Sequence, residues 1–363
     1  MAVMRDTALD LKVGDVVEVR SEAEILATLD ENGELDSLPF MPEMLRYCGR
    51  RMTVYKVAHK LCDTIAFTGM RKMTEAVHLR EFPGDFGVRC DGSAHDGCQQ
   101  ACLIFWKHAW LRKVADGPVP EQPSAPVAEA VPTAENESKL LPLLVLNTKK
   151  GKADDGAGIW RCQGTEALRA SPEPLPLKEV GQIVQDVRTG NVSLFFAVRS
   201  FVAGVYNRFQ GIANRKLPPW LRIKGGRRWG AVVGTAGKRT PGSPGVLKPG
   251  DLVRIKSREE VGATLNENLL NRGLGFDAEM ARFCGRLARV ERHVSHIIDE
   301  KTGRIVDFKT PTVVLEGIYC EGAYSLSCPR AFTPYFREAW LEKVDESEAA
   351  QLAPTLAAGQ RRR

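Results

Sequence analysis

The sequence predicts a mainly β chain with short helices, an α+β class, built as two SH3-like small barrels in tandem repeat. Three observations predict it: one long segment is spelled twice, each copy opens on a short alternating stretch after a Gly-Asp turn, and each copy closes on Ala-Trp-Leu. A terminal strand able to pair with the first one is what a small barrel requires. At 363 residues the chain also exceeds the usual size of one core, so more than one domain is expected.

The first module is read as residues 1–114. LKVGDVVEVR (11–20) alternates Val13, Val16 or Val17, and Val19 with polar neighbours, a strand signature. Ser21 and Glu24 have capping-box spacing, which starts a short helix through Ile25 and Leu29. A second short helix is expected at 42–47, ended by Gly49. Strands are expected at 52–57, 76–79 and 88–90, and the module closes through Ala109, Trp110 and Leu111.

Residues 115–139, rich in Pro, Ala and Glu, read as a disordered linker. Residues 140–246 read as a mixed, basic middle region. LLPLLVLNT is taken as a strand, 160–170 as a strand or helix containing Cys162, 177–187 as a helix, and 192–209 as an amphipathic helix. Residues 247–345 restate the first module: LKPGDLVRIKS answers LKVGDVVEVRS, Ser257 and Glu260 answer Ser21 and Glu24, and Cys284-Gly285-Arg286 answers Cys48-Gly49-Arg50. Glu43 and Glu279 fall at matching places and are read as helix-surface residues. One insertion in the first copy, near Pro83-Gly84-Asp85, brings Cys90 onto Cys320. Residues 346–363 read as a disordered tail.

The motifs LPFMPEM, VRCDGSAHDGCQQACLIFWKHAWL, WRCQGTEALRA, VLEGIYC and CPRAFTPYFREAWL, in this two-copy layout, resemble a family of uncharacterised bacterial two-repeat cysteine-motif proteins. The resemblance implies the architecture and carries no activity.

Composition, with 43% hydrophobic and 26% charged residues, argues against wholesale disorder and against a membrane-embedded class. The start MAVMRDTALDLK carries charge where a signal peptide needs an apolar core, so a cytoplasmic location is expected. In that compartment nine cysteines argue for thiols or metal ligands rather than a disulfide frame.

The cysteines carry the functional expectation. Cys48, Cys90, Cys98 and Cys102 would supply four thiolates to one zinc ion, with His95 as an extra candidate ligand. The second copy has Cys284, Cys320 and Cys328 but Phe332 in place of Cys102. Its fourth ligand would be His293, His296, a water or nothing at all. An open three-thiolate site would instead suit an iron-sulfur cluster or a catalytic metal. His59, His78 and His108 are read as core or surface residues, and Cys62 and Cys162 as plain thiols. No phosphate-binding loop, nucleophile elbow, HExxH or dinucleotide fingerprint is present.

Residues 187–250 contain no Asp or Glu and twelve Lys or Arg. Arg215, Lys216, Arg222, Lys224, Arg227 and Arg228, with Trp220 and Trp229 among them, are candidate contacts to nucleic acid or an anionic membrane surface. The plainer reading is a basic segment that docks on the acidic remainder of the chain. The working expectation is a metal-binding interaction or scaffold protein holding zinc and engaging a protein partner. Its rivals are an enzyme or redox protein using the three-cysteine site, and a nucleic-acid-binding protein using 188–248.

Overall fold

The computed structural model describes residues 9–114, 138–243 and 245–347. The linker and tail expected at 115–139 and 346–363 lie, apart from their edge residues, outside the described residues. The chain divides into two compact units. The first takes the described residues up to Val198 together with Ile297–Val306 and Ser325–Arg330, and the second takes the rest.

In the first unit, Asp15 closes the opening turn by accepting from the Lys12 N–H at 2.8 Å. Strand β1 (Val16–Val19) then buries Val17 and Val19 on one face, as a period of two dictates. Helix α1 (Glu22–Leu26) starts with the expected reciprocal box between Ser21 and Glu24. A 3-10 helix, Pro42–Tyr47, opens on proline, whose missing N–H costs nothing at that position. Strands β2 (Arg51–Val57), β3 (Lys60–Cys62), β4 (Met70–Lys72), β5 (Ala76–Arg80), β6 (Trp106–Lys107) and β7 (Leu111–Lys113) follow. The strand expected at 88–90 is reduced to one bridge, between Arg89 and Leu103.

Five of these strands form an antiparallel sheet in the order β6-β5-β2-β1-β7. Over it pack Phe40, Met44, Trp106 and Trp110, with Phe40 meeting Trp110 edge-on at 5.1 Å. The expectation of closed SH3-like barrels is corrected to an open sheet in a mixed α+β chain, since no ladder joins β6 to β7. The edge strands have two and three residues and are separated by one turn of 3-10 helix, His108–Trp110. They are too short to wrap round and meet.

The middle segment departs from expectation at its start. LLPLLVL forms helix α2 (Leu140–Leu146), not a strand. Pro142 sits in the first turn, where its N–H is not needed, and Leu140 and Leu144, four apart, both reach the first unit's core. A hairpin of β8 (Lys149–Lys152) and β9 (Gly158–Trp160) follows, then α3 (Gln163–Glu166) and β10 (Pro174–Leu175). The last adds to a second sheet in the order β10-β4-β3. Helix α4 (Gly181–Arg188) is fixed to that sheet by the buried pair Lys60 Nζ–Asp186 Oδ2 at 2.6 Å. Helix α5 (Leu194–Lys216) is longer than the expected 192–209. Among the described residues no helix is long and apolar enough to cross a membrane.

The second unit repeats the first unit's devices. It contains β11 (Leu252–Ile255), the capped helix α6 (Arg258–Gly262), a 3-10 turn at Met280–Phe283 and β12 (Leu287–His293). After the hairpin strands β13 (His296–Ile298) and β14 (Ile305–Asp307) come β15 (Thr312–Leu315), β16 (Phe336–Arg337) and β17 (Leu341–Lys343). The sheet order is β16-β15-β12-β11-β17, the same sequence of neighbours. Even the irregularity recurs, between Val54 and Lys56 in one copy and Val290 and Arg292 in the other. So does the buried anchor: Trp110 Nε1 donates to Thr28 Oγ1 at 3.1 Å, and Trp340 Nε1 to Thr264 Oγ1 at 3.0 Å.

Candidate metal centre

The 3-10 helix Pro42–Tyr47 turns Glu43 inward, against the cysteine loop at 90–102. That loop is pinned at its base by the Cys90 N–H donating to the Cys102 carbonyl at 2.8 Å. Inside it, the N–H groups of His95 and Gly97 both donate to the Gly92 carbonyl, at 2.9 and 3.0 Å. Gly92 has φ +73°, and a Cβ there would lie 2.1 Å from the Cys98 carbonyl oxygen. Only glycine lets the backbone close this tightly.

Three ligand-type atoms converge as a result. Glu43, Cys90 and His95 bring one ligand atom each to within 4.8 Å of one another. Glu43 Oε1 faces His95 Nδ1 at 2.6 Å, accepts from the Ala94 N–H at 3.2 Å and lies 3.6 Å from Cys90 Sγ. Glu43 Oε2 is buried with no hydrogen-bond partner. On the far side of the ring, His95 Nε2 stands 2.9 Å from the Arg161 carbonyl oxygen. A carbonyl only accepts, so Nε2 carries hydrogen, and Nδ1 is left to face the carboxylate.

Burial pushes the Glu43 carboxyl up, but the hydrogen bond and charge of His95 outweigh it, and the group is held below its ordinary range. Burial first, and Glu43 second, push the Cys90 thiol well above its usual value. Burial likewise raises Cys102, and it lifts Cys162 to about 11. Cys90, His95, Cys98, Cys102 and Cys162 line one cavity of about 20 Å³.

Among the described residues the group of ligand-type atoms joins Cys90 to His95 and Glu43. Cys48 packs on the first unit's core, where burial and the charge of Glu22 take its thiol up to about 12; no group of three ligand atoms among the described residues includes it. Its position at the C-cap of the 3-10 helix, with φ −57° and ψ 133°, ends the element there. Cys162, read from sequence as a plain thiol, stands on the cavity wall instead. Glu43 and Glu279, read from sequence as helix-surface residues, are 5% and 6% exposed. The sequence signal was the recurrence alone, since both precede Met and a cysteine in matching register.

The thiols of the second copy fall in different units. Cys284 and Cys320 belong to the second unit and Cys328 to the first. No group of three ligand atoms among the described residues contains any of them, or His293 or His296. What the second unit retains is the clamp: Glu279 Oε1 accepts from the Tyr324 N–H at 2.6 Å, the counterpart of Glu43 with Ala94.

Elsewhere in the first unit, Cys328 is buried and its Sγ accepts from the Cys62 N–H at 3.2 Å. Burial alone would raise this thiol, but the Cys62 side chain and Arg330 outweigh it and bring it down to about 6. Arg330 is anchored by Glu300 Oε1 at 2.7 Å, and Glu300 in turn accepts from Thr64 at 2.5 Å and Gln100 at 3.2 Å. The basic residues singled out from sequence lie at the end of α5 (Arg215, Lys216) and in the turns after it (Arg222, Lys224, Arg227, Arg228), beside a Trp220 that is 80% exposed.

Compared with family models, with curated proteins and with solved structures, the chain matches none.

Proposed function

We propose that the chain is a metal-binding interaction protein that holds one divalent cation, zinc by the softness of its ligands, at Cys90, His95 and Glu43. The convergence of a thiol, an imidazole and a carboxylate within 4.8 Å carries this reading. A thiolate, nitrogen and oxygen donor set suits zinc better than magnesium or calcium. The Arg161 carbonyl behind His95 is the outer partner that a ligating imidazole normally has. The unpartnered Oε2 of Glu43 adds a buried acceptor at the same place. The cavity of about 20 Å³ lined by Cys90 and His95 exceeds the ~10–15 Å³ that one water needs, which leaves room for one beside the group. Binding displaces the Cys90 proton, so affinity rises with pH. The strand order and the 3-10 turn before the last strand further support reading each module as an opened SH3-like roll, a frame that many binding proteins share.

Cobalt titration of the whole chain tests it. One equivalent should bind, with the visible absorption of a thiolate-ligated tetrahedral ion. Cys90→Ser and His95→Ala should each weaken binding by about 100-fold or more, at least what loss of an outer-shell partner costs. Stoichiometric binding that neither substitution weakens would place the ion elsewhere, and no binding would end the proposal.

A second reading rests on helix α5. Phe195, Val198, Val202, Val205, Phe209 and Ile212 are all exposed along it, while Arg199, Arg208, Arg215 and Lys216 supply its charge without a single acid between residues 187 and 250. Apolar anchors ringed by cations fit an anionic bilayer surface, where each cation near the lipid is worth about 1 kcal/mol. The chain should sediment with phosphatidylserine vesicles and not with phosphatidylcholine vesicles, and Phe195→Ser with Phe209→Ser should abolish it. Equal sedimentation of the double variant would reject the lipid surface.

A further inference from the structure

The two copies of the repeat make one contact in the same way at two places, and only one of the two carries a second sulfur. In the first unit the Cys62 N–H donates to Cys328 Sγ at 3.2 Å, and the Ile298 N–H donates to Cys98 Sγ at 3.3 Å. By the repeat register Cys62 matches Ile298, and Cys98 matches Cys328. Each loop cysteine thus accepts from the end of a short strand, β3 in one case and β13 in the other. The shared backbone bond accounts for the common geometry. It does not account for a thiol at position 62.

We propose that Cys62 and Cys328 form an oxidisable thiol pair, a disulfide site that ties strand β3 to the loop Ser325–Arg330 when the protein meets a low-molecular-weight disulfide. Several observations support it besides the 3.2 Å contact. Met70, Leu175 and Leu326 pack around the two sulfurs and shield them. Arg330, 5% exposed, lies close enough for its charge to act on Cys328 and is held in place by Glu300. The Cys62 side chain itself hydrogen-bonds to Cys328, and the balance of these effects favours thiolate at Cys328 near neutral pH. Cys62 is half-buried and Cys328 fully buried, which sets the order of events.

Cys62 passes its proton to Cys328 and attacks the small disulfide as thiolate, forming a mixed disulfide; the released small thiolate takes the proton from Cys328, which is thiolate again. The Cys328 thiolate then attacks the Cys62 sulfur, breaking the mixed disulfide and expelling the second small thiolate. Two protein thiols are oxidised to one disulfide, and one small disulfide is reduced to two thiols. The pair is independent of the metal proposal, since neither sulfur belongs to the Glu43–Cys90–His95 group.

The test is thiol counting and peptide mapping on the full chain, reduced, desalted, exposed to oxidised glutathione and then alkylated. The wild type should fall from nine reactive thiols to seven, with fragmentation placing the bond between Cys62 and Cys328. Cys62→Ser keeps the backbone N–H that Cys328 accepts from, so the fold contact survives; this variant should start at eight and lose no pair. A wild type that loses no more thiols than Cys62→Ser, or a bond mapped to any other two cysteines, overturns the proposal. An unfolded Cys62→Ser, seen in its melting curve, leaves the wild-type bond assignment as the deciding result.

Discussion

One glutamate appears at the same step of each module and is held in opposite states. Glu43 faces His95, which keeps its carboxyl low. The second copy has Ser325 at the matching position, which brings no positive charge. Burial, the dominant effect, lifts Glu279 to about 7, Asp277 and Glu321 push the same way, and the Tyr324 N–H and Arg282 oppose them. A carboxyl raised from 4.5 to about 7 corresponds to about 3 kcal/mol. The sign follows from proton binding, because the folded chain holds this proton more tightly than the unfolded one. The group's contribution is full below pH 4.5, falls as the unfolded carboxyl ionises, and is gone above about 7. Glu279→Gln retains an acceptor for Tyr324 and cannot ionise. Melting curves at pH 5 and pH 8 should therefore show the variant gaining on the wild type at the higher pH; an equal difference at both would refute the assignment. The burial of these glutamates was hidden in the sequence, because a charged residue on a short amphipathic turn reads as solvated unless its tertiary partner is known. The His95–Glu43 pairing is such a partner, 52 residues away.

Among the elements, the short capped helices and the alternating strands were legible locally, since caps and period-two burial act within a few residues. Ser21 with Glu24 and Ser257 with Glu260 stand as their spacing requires. Helix α2 was not legible. An apolar run of seven fits strand or helix equally, and what decided it was a docking position for Leu140 and Leu144. The middle segment as a whole is held by such contacts. Lys60 and Asp186 are both almost fully buried, with His59 Nε2 a further 3.2 Å from the same carboxylate. Burial raises the Asp186 carboxyl while Lys60 opposes it. Asp186→Ala would strand the Lys60 ammonium in the interior and should cost about 3–5 kcal/mol, whereas replacing both partners by apolar residues should recover most of it. Urea denaturation of the single and double variants measures this. A single variant as stable as wild type would mean that the pair contributes nothing to docking α4.

For the molecule as a whole, the repeat seen in sequence and the compact units seen in space have different borders. The copies run from Leu11 and Leu247, yet Ile297–Val306 and Ser325–Arg330 of the second copy are counted with the first unit. Glu300 explains the transfer. It is bonded to Thr64, Gln100 and Arg330, and a carboxylate so buried stays only where its partners are. This exchange also redistributes the cysteines. Cys328 falls in the first unit, where its Sγ accepts from the Cys62 N–H.

The amino-acid order alone was enough to establish the duplication, the start and end of most strands and both helix caps, because each rests on nearest neighbours or on register between copies. Which side chains meet was decided by folding: His95 and Glu43 converge on Cys90, Cys162 stands on the cavity wall, and the Cys62 N–H donates to Cys328 Sγ. Those choices depend on which distant backbone groups meet, and one sequence carries no term for the distance between residues tens or hundreds of positions apart.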